Sequence, residues 1–148
     1  MTIRVGVASG TWGIGPVTIP GQVPWNVFLD ESAGAGYKFI EAGHYGYLPT
    51  DPDFLVSELD KRGIKVVATT VMNGHLDKPE DWPTIEAELM RAGQVGASLG
   101  AKHIVLIDDF YHFGDRIIEK DVPELERDSW KRLIDNTHRI ADISKEQF

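Results

Sequence analysis

Gly36-Tyr37-Lys38-Phe39-Ile40, Gly63-Ile64-Lys65-Val66-Val67 and Gly100-Ala101-Lys102-His103-Ile104-Val105 repeat one phrase, Gly-x-Lys followed by an apolar run. An amphipathic stretch precedes each. A glycine just past a helix can take the left-handed conformation that closes it, and the apolar run then reads as a buried strand. Ile3-Arg4-Val5-Gly6-Val7-Ala8 supplies a first strand with no helix before it. The organisation predicted is βα repeated four times, a single domain over residues 1–148. A fifth strand would be expected where the sequence reaches Phe148, so the chain reads as half of a larger architecture, cut before strand five.

The helices carry local start signals. Pro24 opens the first, with Trp25, Phe28, Leu29 and Ala33 on one face at helical spacing. Thr50-Asp51-Pro52-Asp53 opens the second, combining a cap, a proline and an early carboxylate. The third runs from about Asp81 to Leu99, with Trp82, Ile85, Leu89, Ala92 and Leu99 buried, and Gly93 and Gly96 marking close packing on the sheet. The fourth starts near Asp128 and buries Trp130, Leu133, Ile134, Thr137 and Ile140. The strands Phe39–Glu41, Val66–Thr70 and Ile104–Asp108 are nearly continuously apolar, as parallel strands covered on both faces must be. Four βα units can form an open doubly wound sheet or half of an eight-stranded barrel, and periodicity does not choose.

Composition excludes several classes. The 148 residues are 42% hydrophobic, ordinary for a globular domain. A net charge of −8 without a basic cluster argues against a nucleic-acid surface, which needs grouped Lys and Arg. There is no cysteine, hence no disulfide or thiolate metal site. No stretch reaches the ~18 apolar residues of a membrane helix. The N-terminus runs straight into a strand, so no signal peptide is expected and a cytoplasmic location is.

In either architecture ligands bind at the carboxyl ends of the strands. Strand one leads into Ser9-Gly10-Thr11-Trp12-Gly13-Ile14-Gly15, which lacks a nucleotide-binding fingerprint. Trp12 there is a sugar-stacking platform or a lid over the mouth. Strand two ends in Glu41, a carboxylate within an apolar strand that is costly to bury unless paired or used. Glu41 is therefore a candidate catalytic or substrate-binding residue, while His44 reads as a solvent-facing loop histidine. Strand three leads to His75, and strand four to Asp108 and His112. Histidines and carboxylates on converging loops can form a metal site or an acid–base pair. Without tight ligand spacing, His75 and His112 read as polar substrate contacts. His103 reads as a packing residue and His138 as a surface one.

The run from Ile3 to His75 resembles the sugar phosphate isomerase/epimerase family, whose members are xylose isomerase-like TIM barrels, with the inosose dehydratase-like branch closest. The resemblance rests on Trp12-Gly13, Pro24-Trp25-x-x-Phe28-Leu29-Asp30-Glu31, Ala35-Gly36-Tyr37 and Ile40-Glu41-x-Gly43. It continues through Tyr45-Gly46-Tyr47-Leu48-Pro49-Thr50-Asp51 and Leu59-Asp60-x-Arg62-Gly63, and more weakly to the end. It implies a (βα)4 half of a TIM (β/α)8 barrel, with parallel strands in order 1-2-3-4 and helices on the outer face. It also implies carbohydrate metabolism: a metal-dependent sugar or cyclitol isomerase, epimerase or dehydratase that moves a proton next to a carbonyl. Glu41 and His75 are then the catalytic candidates, with Trp12, Asp108 and His112 binding substrate. The divalent metal (Mn, Co, Mg or Zn) belongs to the full-length barrel, whose ligands lie on strands five to eight. For this chain alone no metal and no independent activity are expected. The alternative is a noncatalytic binding or assembly module that pairs as a homodimer through an open, apolar inner face.

Overall fold

The structure, a computed structural model, describes residues 3–108 and 124–148. The elements alternate as β1 (Gly6–Ala8), α1 (Trp25–Gly34), β2 (Phe39–Glu41), α2 (Pro52–Asp60), β3 (Lys65–Val71), α3 (Trp82–Ser98), β4 (His103–Leu106) and α4 (Arg127–Gln147). Short 3-10 turns at Ser9–Trp12 and Pro79–Asp81 follow β1 and precede α3. All strand pairs are parallel, and the sheet order is β1-β2-β3-β4. A doubly wound sheet would reorder its strands; this order is that of half a barrel.

The three Gly-x-Lys junctions are built alike. Gly36, Gly63 and Gly100 have φ of 90°, 63° and 73°. The residue after each donates its N–H back to the helix it has left: Tyr37 to Ser32 O (3.0 Å), Ile64 to Leu59 O (3.1 Å) and Ala101 to Gly96 O (2.9 Å). This Schellman closure satisfies a helix-end carbonyl and turns the chain into the next strand. At the other end of α2, Asp51 accepts a hydrogen bond from Phe54 N at 2.8 Å, as its sequence signal requires.

The core lies between sheet and helices in two clusters. One gathers Val7, Phe28, Leu29, Ile40, Leu55, Leu59, Ile64 and Val66; the other joins Val71, Leu76, Ile85, Leu89, Ala92 and Ile140. Gly96 packs on the sheet as expected, since a Cβ there would lie 3.0 Å from the Thr69 methyl. Gly93 instead faces the Phe148 ring, which would stand 2.2 Å from an added Cβ.

Several expectations are corrected. Pairing in β1 begins only at Gly6, and Ile3 and Val5 before it are 84% and 65% exposed. On α4 only Ile140 is fully buried, whereas Trp130 and Ile134 are exposed, because the helix rests on α3. Between α4, α3 and β4 a groove of ≈520 Å³ remains, lined by Ile104, Leu106, Ile140 and Phe148 among others. Finally, the inner face is not broadly apolar. Thr69 faces α3, so Thr70 and Ala68 face the other way; the register then places Ala8, Glu41 and His103 beside them. Phe39 and Val105 are the larger apolar side chains of that face. His103 belongs to it and is exposed, not packed.

Candidate functional site

The carboxyl ends of the four strands carry the polar residues singled out in the sequence, and hydrogen bonds tie neighbouring ends together. Glu41 ends β2. Its position depends on a register slip: Ile40 pairs with Val66, but Glu41 pairs with Ala68. This bulge, at a strand end as is common near active sites, brings Glu41 toward Thr70, which lies two residues on from Ala68 on the same face. The Thr70 hydroxyl donates to Glu41 Oε1 at 2.6 Å. This bond fixes the orientation of the carboxylate at the mouth.

The loop after β3 is braced from three sides. Glu88 of α3, only 2% exposed, accepts from Met72 N (3.0 Å), Asn73 N (2.8 Å) and Asn73 Nδ2 (2.6 Å). Asp81 accepts from His75 N at 2.9 Å. Asp108, just past β4, accepts from Leu76 N at 2.6 Å. From α4, Asn136 Nδ2 donates to Leu76 O and Arg132 Nε to Asp77 O, both at 2.8 Å. Leu76, the residue after His75, thereby meets Asp108 across the ends of β3 and β4. His112 lies outside the described residues.

Trp12 closes the turn after β1. Its ring meets Phe28 edge-on, with centroids 5.2 Å apart, and its indole N–H donates to Glu31 Oε2 at 2.6 Å. Both contacts are to α1, and they fix the plane of the indole. Beside it Gly43, with φ of 70°, lies against Ser9, whose hydroxyl oxygen would be 2.1 Å from an added Cβ. The ends of β1 and β2 approach so closely only because that side chain is absent.

His44 departs from expectation: it is half-buried rather than solvent-facing. Burial lowers its pKa below the usual 6.5, although the carboxylates of Glu88 and Glu41 act in the opposite direction. Neutral imidazole is thus the form favoured next to two carboxylates. Tyr47 in the same loop donates its hydroxyl to Val23 O at 3.0 Å, and burial pushes its pKa up to about 12.

Glu88 and the buried state of His44 were not read from the sequence. Glu88 did leave a signal: it falls on the Ile85–Leu89–Ala92 stripe, where a charge must find partners. Among the described residues no three His, Asp or Glu side chains gather closely enough to hold a metal ion.

No family model matches this sequence, and no curated protein does either. Solved structures do match. D-psicose 3-epimerase from Clostridium cellulolyticum H10, in complex with D-tagatose, aligns with a TM-score of 0.68 at 11% identity, over 97% of this chain and 49% of that one. The IolI protein with a bound zinc atom aligns with a TM-score of 0.67 at 16% identity, over 97% and 48%. A family 2 AP endonuclease from Brucella melitensis aligns with a TM-score of 0.65 at 16% identity, over 97% and 51%. The chain spans about half the length of each of them. It therefore has the fold of one half of each, the (βα)4 half of an eight-stranded α/β barrel.

Proposed function

We propose that this chain forms half of the substrate mouth of an enzyme that moves a proton next to the carbonyl of a sugar or cyclitol. The observation that carries this reading is Glu41. It is a carboxylate at the carboxyl end of a barrel strand, on the inner face, oriented by Thr70 at 2.6 Å. Such a group is suited to take a proton from the carbon beside a carbonyl and to return it, which is the step shared by isomerisation, epimerisation and dehydration. His75 and Asp108, on the adjacent loops, supply polar contacts for hydroxyl groups, and Trp12 an apolar ring face. His112 is assigned to the same role by sequence position alone. The similarity to an epimerase solved with a ketohexose supports the substrate class. The metal implied by the family resemblance would be held by groups outside those described, and no step is assigned to it here.

The test is an amide NMR titration of the 148-residue chain with D-tagatose and with an inosose. Shifts centred on Glu41, Thr70 and Leu76, weakened in Glu41→Gln, support the reading. Shifts confined to the groove between α3 and α4, or no response at millimolar ligand, would overturn it.

A further inference from the structure

Among the described residues β1 and β4 each have one strand neighbour, so the sheet has two open edges. Open edges expose rows of N–H and C=O groups that recruit other strands. The side chains beside these two edges are complementary in kind. At the β1 edge, Ile3 and Val5 are 84% and 65% exposed and lack cover. At the β4 edge, Ile104 and Leu106 line a ≈520 Å³ groove that has room. Val5 precedes the outward-facing Val7 by two residues, so in an extended chain it belongs to the same layer as Ile104 and Leu106. Every copy carries one apolar projection and one apolar groove.

We propose that two copies of this chain close strand to strand, β4 of each lying parallel to β1 of the other, as a two-fold symmetric eight-stranded barrel. A half-turn about the barrel axis makes both junctions identical, which is the closed arrangement favoured for homodimers. Closure removes both edges at once. The inner face suits it. It mixes small residues (Gly6, Ala8, Ala68) with larger ones (Phe39, Lys65, His103), and a closed barrel fills its interior with layers drawn from alternate strands. The mouth holding Glu41 and Asp108 is then completed by the second copy. This inference rests on the sheet edges and is independent of the proposed chemistry.

The absence of cysteine permits a direct test. Arg4, whose guanidinium lies over the Phe39 ring, and His103 are both exposed and belong to the inner face at opposite edges. Within one copy three strand spacings, about 14 Å, separate β1 from β4, too far for a disulfide. The Arg4→Cys/His103→Cys variant should therefore oxidise to a covalent dimer and to no intrachain species. Sedimentation equilibrium of the unmodified chain should give twice 16.5 kDa. Val5→Asp, which changes an exposed residue, should weaken association about a hundredfold while the monomer still melts cooperatively. A monomer at all concentrations would overturn the proposal and leave the edges to another strand, such as one from a longer chain. A dimer that ignores Val5→Asp and fails to cross-link, or an unlimited series of higher oligomers, would overturn it as well.

Discussion

Replacing Glu88 tests whether the β3–α3 loop is held as the geometry requires. Its carboxylate receives three N–H donors, two from the backbone of Met72 and Asn73 and one from the Asn73 side chain, at 2.6–3.0 Å. In Glu88→Ala those donors lose their acceptor, and the site around Met72 (8% exposed) admits little water in its place. Each buried donor left unpaired costs about 1–3 kcal/mol, so with Asn73 partly solvated the loss is about 3–5 kcal/mol. That is a large fraction of the ~5–15 kcal/mol available to a domain. Glu88→Gln keeps one oxygen for the two backbone donors but sets an amide NH₂ against Asn73 Nδ2, which can answer by turning over its own amide. A loss of about 1–2 kcal/mol is expected. Urea unfolding gives the two values, and hydrogen exchange at Met72 and Asn73 reports the local change. If Glu88→Ala costs under about 1 kcal/mol, or if both amides keep their protection, the buried carboxylate is not what holds this loop.

The remaining predictions are more local. His44 has a folded pKa lowered by burial, so protonation favours the unfolded chain. Its contribution should be complete above about pH 6.5 and decline as the pH falls below that value; His44→Gln should flatten this part of the stability profile. In NMR the His44 imidazole should titrate below 6.5, and lower still in Glu41→Gln, because Glu41 raises its pKa; an upward shift on that substitution would refute the electrostatic picture. Gly43→Ala should cost about 2–3 kcal/mol from a left-handed φ plus a clash with Ser9 Oγ. Adding Ser9→Ala should recover the steric part and leave about 1 kcal/mol of strain; full recovery or none would refute that division. Tyr47→Phe removes the hydroxyl that donates to Val23 O and should lower stability by about 1 kcal/mol, read from the urea midpoint.

Much of the architecture is legible in the sequence because its signals are local. The Gly-x-Lys junctions work through bonds spanning five residues, such as Ala101 N to Gly96 O, and the Asp51 cap through one spanning three. Chain segments of that length settle their own geometry, so helix ends, strand starts and the strand count follow from residue chemistry. Strand order did not follow from those local signals, which a doubly wound sheet and a half-barrel share; the family resemblance implied the order 1-2-3-4, and the sheet has it. The site divides in the same way. Glu41, His75 and Asp108 could be placed at strand ends from the βα rhythm, but the bulge that pairs Glu41 with Ala68 could not, because register is set between strands distant in the chain.

Burial was the quantity least accessible from sequence. Trp130 and Ile134 have the helical spacing of core residues yet stay exposed, because what covers a helix face depends on where its neighbours stop. His44 looks like a loop residue and Glu88 like a charge on a helix. Only packing buries one, between the β2–α2 loop and its neighbours, and only the loop after β3 gives the other its three donors. Sequence alone thus determined which elements form and which residues cap them. The fold decided which polar groups lose water, since desolvation and pairing energies depend on atoms brought together from distant parts of the chain.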